Sequence, residues 1–214
     1  MEERIIRNAA EYVKEVFRAD FSGHDAAHTM RVWRTAYRLA EMEHADLFTV
    51  QLAALLHDVD DSKLSPETCA GKDRAAAFMR EQGLGDDVVR TVCTIIGEVS
   101  YGGRDSVVPS SIEGKCVQDA DRLDALGAVG IARAFAYGGS RGRAMYDPEV
   151  PPRLDMSGGE YRRHVSTTVN HFYEKLFRLE DMMNTAAAKA LAEHRSQYMR
   201  GYLEEFFAEW EGAL

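Results

Sequence analysis

Basic charge is what this sequence has least of. Its 214 residues carry 26 Lys and Arg against 35 Asp and Glu, a net charge of −9. A surface that wraps nucleic acid needs a basic face, so this balance argues against a nucleic-acid partner. A small phosphorylated substrate stays open, because a metal and a few local cations can supply the positive field. Long apolar runs are missing too. None approaches the roughly 18 residues that would span a membrane, so no membrane partner is expected. Cysteine is scarce: Cys69, Cys93 and Cys116 form no CxxC pair. An odd number without close pairing reads as reduced thiols in a cytoplasmic chain, two of them in the core. The opening MEERIIRNAAEYVKEVF has acids throughout and does not read as a signal peptide. Period-two alternation is not sustained anywhere, and no Gly-rich phosphate loop follows a strand pattern. The class expected is all-α, a single domain over residues 1–214.

What is present is helical periodicity. Ile5, Ala9, Val13 and Phe17 recur every four residues and predict a first helix. A second is expected over about 25–43, with Met30, Trp33, Tyr37 and Ala40 on one stripe and Val32, Ala36 and Leu39 on another. So little of its circumference is polar that it should be mostly buried. His24 and His28 share a face if that helix extends back far enough. Further helices are expected over 46–56, 67–82 and 86–98. A sixth should start at Ser110 or Ser111 and present Asp121 and Asp124 on one side, in apolar surroundings. Residues 137–160 hold five Gly and three Pro and read as a long solvated loop carrying Arg141, Arg143 and Arg153. Val165, Val169, Phe172, Leu176, Leu179 and Met183 mark an amphipathic segment, with His171 and Lys175 on its polar side. Asn184 is expected to cap a last helix bearing Leu191, Tyr198, Tyr202, Phe206 and Trp210.

The chain is organised around Leu55-Leu56-His57-Asp58-Val59-Asp60-Asp61-Ser62-Lys63. An apolar run, broken only by Gln51, ends there in a His, three acids and a Lys. Val50, Ala53, Ala54 and His57 fall at helical spacing, which puts the imidazole on a buried stripe. A carboxylate at Asp58 is costly to bury unless something cationic meets it. A divalent metal answers that cost; a helix ending in solvated acids is the alternative. His28 and Asp121 sit at comparable buried margins of other helices. Two imidazoles and two carboxylates suit one divalent ion (Mn, Ni, Co, Fe or Zn) with positions left for water and substrate.

At this point the chain resembles a known family. The order H…HD…D over His28, His57-Asp58 and Asp121 resembles the HD superfamily of metal-dependent phosphohydrolases. The segments GHDAAHTMRVW, LAALLHDVDDSK, SIEGKCVQDADRLDALGAVGIARAFAYGG and NHFYEKLFRLEDMMNT resemble its YpgQ/YedJ-like bacterial branch. The resemblance implies an all-helical HD fold with His28, His57, Asp58 and Asp121 as ligands of one metal. It also implies help with the chemistry from an acidic residue three positions after the motif aspartate. Here that is Asp61, shorter than the Glu often found there. The implied activity is hydrolysis of (deoxy)nucleoside triphosphates to monophosphate and pyrophosphate, with a small-molecule nucleotide as substrate. The alternatives are a nucleoside monophosphatase and a non-catalytic nucleotide-binding regulatory module. Lys63, Arg133, Lys175 and His24 are the expected substrate contacts, with Arg122 and His171 as further cations near the same blocks.

Overall fold

The computed structural model describes residues 1–18, 25–60, 67, 68, 70–99, 106–154, 156, 159, 160 and 164–214. Its helices are α1 (Glu2–Val16), α2 (Ala26–Glu43), α3 (Leu47–Leu56), α4 (Asp73–Glu81), α5 (Asp86–Val99), α6 (Ile112–Asp124) and α7 (Gly127–Ser140). There follow α8 (Thr168–His171), a π-helical turn π1 (Phe172–Leu176), α9 (Phe177–Asp181) and α10 (Ala186–Trp210). No strand occurs among the described residues, and no helix is long and apolar enough to cross a membrane. The fold is all-α. The described residues form two compact units, one holding α1 to α5 and α6 as far as Asp121, the other running from Arg122 to Leu214.

In the first unit α3 is the centre, packed against α1, α2 and α5. Its apolar run has no polar face to offer water, and Leu52 to Leu56 are wholly buried. Burying leucines such as Leu52, Leu55 and Leu56 stabilises the unit by roughly 1.5–3 kcal/mol each. Gln51, the one polar interruption, accepts a hydrogen bond from the Trp33 indole N–H of α2 at 3.1 Å. Asp46 caps α3 by accepting from the Thr49 N–H at 2.8 Å. Of the two stripes on α2, Val32, Ala36 and Leu39 are fully buried, while Met30, Trp33 and Tyr37 stay half-exposed. Tyr12 of α1 stacks on Phe78 of α4, ring centroids 4.8 Å apart.

The helix expected from residue 67 begins only at Asp73. Lys72 adopts a left-handed φ of 54°, which no helix can continue through, and caps α4 with no side-chain hydrogen bond. The predicted cap of α6 is found: Ser111 Oγ accepts from the Gly114 N–H at 3.0 Å.

In the second unit α7 continues to Ser140, so the loop starts later than expected. Residues 141–154 are mostly exposed, as expected of a solvated loop, but backbone bonds tie the segment to α8. Thr168 and Val169 donate backbone N–H groups to the carbonyls of Ala144 and Met145 at 3.0 and 2.9 Å. Asn170 Nδ2 donates to the Val150 carbonyl at 2.8 Å. Val165, expected on the buried stripe, is exposed, whereas Val169, Phe172, Leu176, Leu179 and Met183 are buried as expected. Thr185, not Asn184, caps α10 through the Ala188 N–H. The buried face of α10 is Ala188, Ala192, Ser196, Met199 and Leu203; Leu191, Tyr198 and Trp210 are exposed. Small residues let that face approach its neighbours closely, and the aromatic residues sit at its margin. There Phe206 and Trp210 stack at 5.7 Å and Tyr146 meets Phe207 edge-on at 5.2 Å.

Candidate metal centre

His28 stands in the first turn of α2. Asp25 accepts the His28 backbone N–H at 2.7 Å, which fixes where the helix begins and hence where the imidazole stands. The helix starts at Ala26. His57 closes the C-terminal end of α3, Asp58 follows in the next turn, and Asp121 lies in the last turn of α6. Three separate stretches of chain thus deliver one cluster of four residues, all of it within the first unit.

The donor atoms are close. His28 Nε2 lies 3.4 Å from Asp58 Oδ2 and 3.4 Å from Asp121 Oδ1. His57 Nε2 lies 3.3 Å from Asp58 Oδ2 and 3.9 Å from Asp121 Oδ1. The two imidazoles stand edge-on, with centroids 5.5 Å apart. His28, His57 and Asp58 are buried, and the Asp121 side chain is partly open to solvent. Groups bound at about 2.0–2.2 Å to one ion stand roughly 3 Å apart, so a cluster at 3.3–3.9 Å closes on a cation by small side-chain shifts.

The protonation pattern makes the case stronger. The Nδ1–H of His57 donates to the Ala54 carbonyl at 2.9 Å, because a carbonyl oxygen can only accept. In the neutral ring the other nitrogen, Nε2, then carries a lone pair. That atom is buried and makes no hydrogen bond, and it faces carboxylate oxygens that are themselves acceptors. Lone pairs pointing at one another need a cation between them. Without a metal, only a proton can serve. Burial opposes charge on His57, but the neighbouring Asp58 and Asp121 hold its pKa above the ordinary value. Burial likewise works against charge on Asp121; the adjoining His28 and His57 outweigh it and keep the carboxyl below its ordinary range. The donor set fits a divalent metal with nitrogen and oxygen ligands.

Other residues singled out by sequence fare differently. His24, Asp61 and Lys63 lie outside the described residues. Asp124, expected beside Asp121, instead pairs with Arg133 Nη1 at 2.6 Å. Arg122 is no surface cation: it is buried and donates to the Met182 carbonyl. His171 is no cation either. Burial pushes its pKa down to about 3, with help from Lys175 and Arg143. Lys175 belongs to π1 and Arg133 to α7, both in the second unit.

Two residues escaped the sequence reading. Asp60 is fully buried and accepts backbone N–H groups of Arg74 at 3.2 Å and Ala75 at 3.0 Å. Glu174 is buried in π1, where it meets His164 Nε2 at 3.0 Å and accepts the Arg153 N–H at 3.0 Å. For Asp60 the only available signal was a third acid within four residues. For Glu174 there was none, because its partners lie on the loop before α8.

Comparison with known proteins agrees with this geometry. The family model described as HD domain matches residues 25–126, a span that contains all four clustered residues. YpgQ of Bacillus subtilis is 39% identical over 196 residues, 91% of this chain and 88% of the relative. The crystal structure of an HD-superfamily hydrolase from Bacillus thuringiensis superposes with a TM-score of 0.80 at 43% identity, covering 99% of both chains. Bacillus subtilis YpgQ in complex with ADP gives a TM-score of 0.75 at 35% identity, over 97% of this chain and 96% of that one. Aligned over nearly its whole length with proteins of one kind, the chain belongs to the HD superfamily of metal-dependent phosphohydrolases.

Proposed function

We propose that residues 1–214 act as one hydrolase domain that cleaves (deoxy)nucleoside triphosphates in the cytoplasm to monophosphate and pyrophosphate. The His57 Nε2 atom facing the Asp58 and Asp121 carboxylates supports a metal-dependent hydrolase, and the likeness of residues 111–139 and 170–185 to the YpgQ-like branch supports pyrophosphate release. The crystallised ADP complex of YpgQ supports a nucleotide as ligand.

His28, His57, Asp58 and Asp121 hold the metal, which when bound lowers the pKa of a coordinated water and polarises a phosphoryl oxygen. Its identity among Mn, Ni, Co, Fe and Zn is open to measurement. The chain's own residues do the rest. Asp61 takes the proton from the attacking water or returns one to the departing oxygen. Lys63, Lys175 and Arg133 balance phosphate charge, and His24 contacts the substrate. Attack falls on the α-phosphorus, and pyrophosphate leaves.

Purified, metal-loaded protein is given a panel of nucleotides in ¹⁸O-water. Release of pyrophosphate with label in the monophosphate is the expected result. Orthophosphate from monophosphates would make the protein a nucleoside monophosphatase. Tight nucleotide binding without any product would make it a binding module. Label in the pyrophosphate would move attack to the β-phosphorus.

A further inference from the structure

The turn that carries His57 and Asp58 is held from one side by α3. On the other side its last described residue, Asp60, reaches across to α4. The carboxylate is fully buried and divides itself between two backbone donors, Oδ1 with the Arg74 N–H and Oδ2 with the Ala75 N–H. These are donors of the first turn of α4, which no intrahelical carbonyl can satisfy. The helix has no cap of its own, because Lys72 stands at its start in a left-handed conformation. A carboxylate from fourteen residues upstream fills that place. Charge-assisted bonds to a helix N-terminus are stronger than neutral ones, and the positive end of the helix dipole adds to them. The grip also reaches other neighbours: after burial, the Asp60 charge is the next influence raising the Cys93 thiol of α5.

We infer that Asp60 is a positioning residue of the metal centre: by clasping the N-terminus of α4, it holds the His57-Asp58 turn in the ligand-presenting conformation. The inference rests on the metal reading of the His28, His57, Asp58 and Asp121 cluster. Two features make Asp60 more than a cap. It lies two residues from Asp58 in a turn whose other members, His57 to Val59, are also buried, so the turn has little solvent-side freedom of its own. Its two bonds are also spread over both oxygens, which fixes the carboxylate in rotation as well as position. Removing it frees the turn from α4 while leaving every ligand side chain chemically intact.

The test compares wild type, Asp60→Asn, Asp60→Ala and Ala76→Gly. The last loosens α4 from within without touching the turn. For each protein, Co²⁺ and Mn²⁺ dissociation constants are titrated, the visible spectrum of the Co²⁺ form is recorded, and unfolding of the chelator-treated protein is followed. Residues that orient metal ligands typically alter affinity by 10- to 100-fold when replaced. Asp60→Asn, which keeps one acceptor but no charge, is expected to weaken both metals on the order of tenfold and to shift the Co²⁺ spectrum. Asp60→Ala is expected to do more. Ala76→Gly should lose comparable stability and keep wild-type affinity and spectrum. If Asp60→Ala does not fold, Asp60→Asn carries the comparison. Wild-type affinity and spectrum in Asp60→Asn, or equal weakening in Ala76→Gly, would overturn the inference and leave Asp60 as a helix cap. A wild-type protein that takes up neither metal would overturn the metal reading, and the inference with it.

Discussion

His57 donates from Nδ1 to the carbonyl of Ala54, one turn back in α3, and so turns the lone pair of Nε2 toward the carboxylates of Asp58 and Asp121. On the proposed ligand set, replacing His57 with Ala removes a nitrogen ligand and not merely a packed ring. Metal content by mass spectrometry and hydrolytic activity should fall together, because the ligands hold the ion. A His57→Ala protein that still carries one metal per chain would end the assignment of His57 as a ligand.

On the proposed mechanism, Asp61 serves the chemistry and not the metal. Asn has the same size but cannot take a proton. Asp61→Asn should keep metal content and thermal stability while kcat falls by roughly a hundredfold or more. Near-normal turnover with normal metal would remove Asp61 from the chemistry and reduce it to a turn residue or a partner of Lys63.

The thiols should be free. Cys93 and Cys116 are unpaired in the structure, and Cys69 lies outside the described residues. Titration of unfolded, unreduced protein should find three thiols; a count of one would reveal a disulfide. In the native state Cys116 should react slowest. Burial, reinforced by Asp119, Glu43 and Glu113, pushes its thiol up to about 12. Thiolate, the reactive form, is then vanishingly rare at neutral pH.

His171 should make the fold acid-sensitive. Its imidazole titrates near 6.5 when exposed and is pushed to about 3 in the folded chain. Between those values the unfolded state takes up a proton that the folded state refuses. Stability is therefore full above pH 6.5 and is lost as pH falls toward 3, by up to about 2 kcal/mol at pH 5. Urea unfolding of wild type and His171→Gln at pH 7 and pH 5 checks this. The variant should lose less stability on acidification; parallel losses would show that His171 does not titrate as described.

How far the sequence was legible depended on whether the cause of a feature was local. α3 and its cap follow from an apolar run and an Asp placed before it, and α2 begins where Asp25 can reach the His28 N–H. The four clustered residues were readable because each marks the point where a buried helical stripe meets a polar group. Features caused at a distance were not readable. The start of α4 depends on Asp60, fourteen residues away. Arg122 read only as a further cation near the site, because its partner, the Met182 carbonyl, lies far along the chain. In α10 the sequence showed large residues such as Leu191 and Tyr198, but close packing puts Ala188 and Ala192 on the buried face. In π1 the helical register itself departs from the period on which such readings rest.

The end of α6 has a bearing on where this protein can be cut. The Leu123 carbonyl accepts from Arg195 Nη1 of α10 at 2.5 Å, and the Asp124 carbonyl accepts from Arg133 of α7 at 3.2 Å. Both guanidiniums lie beyond residue 126, where the family match stops. A fragment excised there would keep all four ligands and every matched position. It would also bare the Leu123 and Asp124 carbonyls that end α6, leaving them without their guanidinium donors. The margin of the shared sequence pattern is therefore a poor place for the scissors: to keep Asp121 seated, an excised piece has to extend through Arg195.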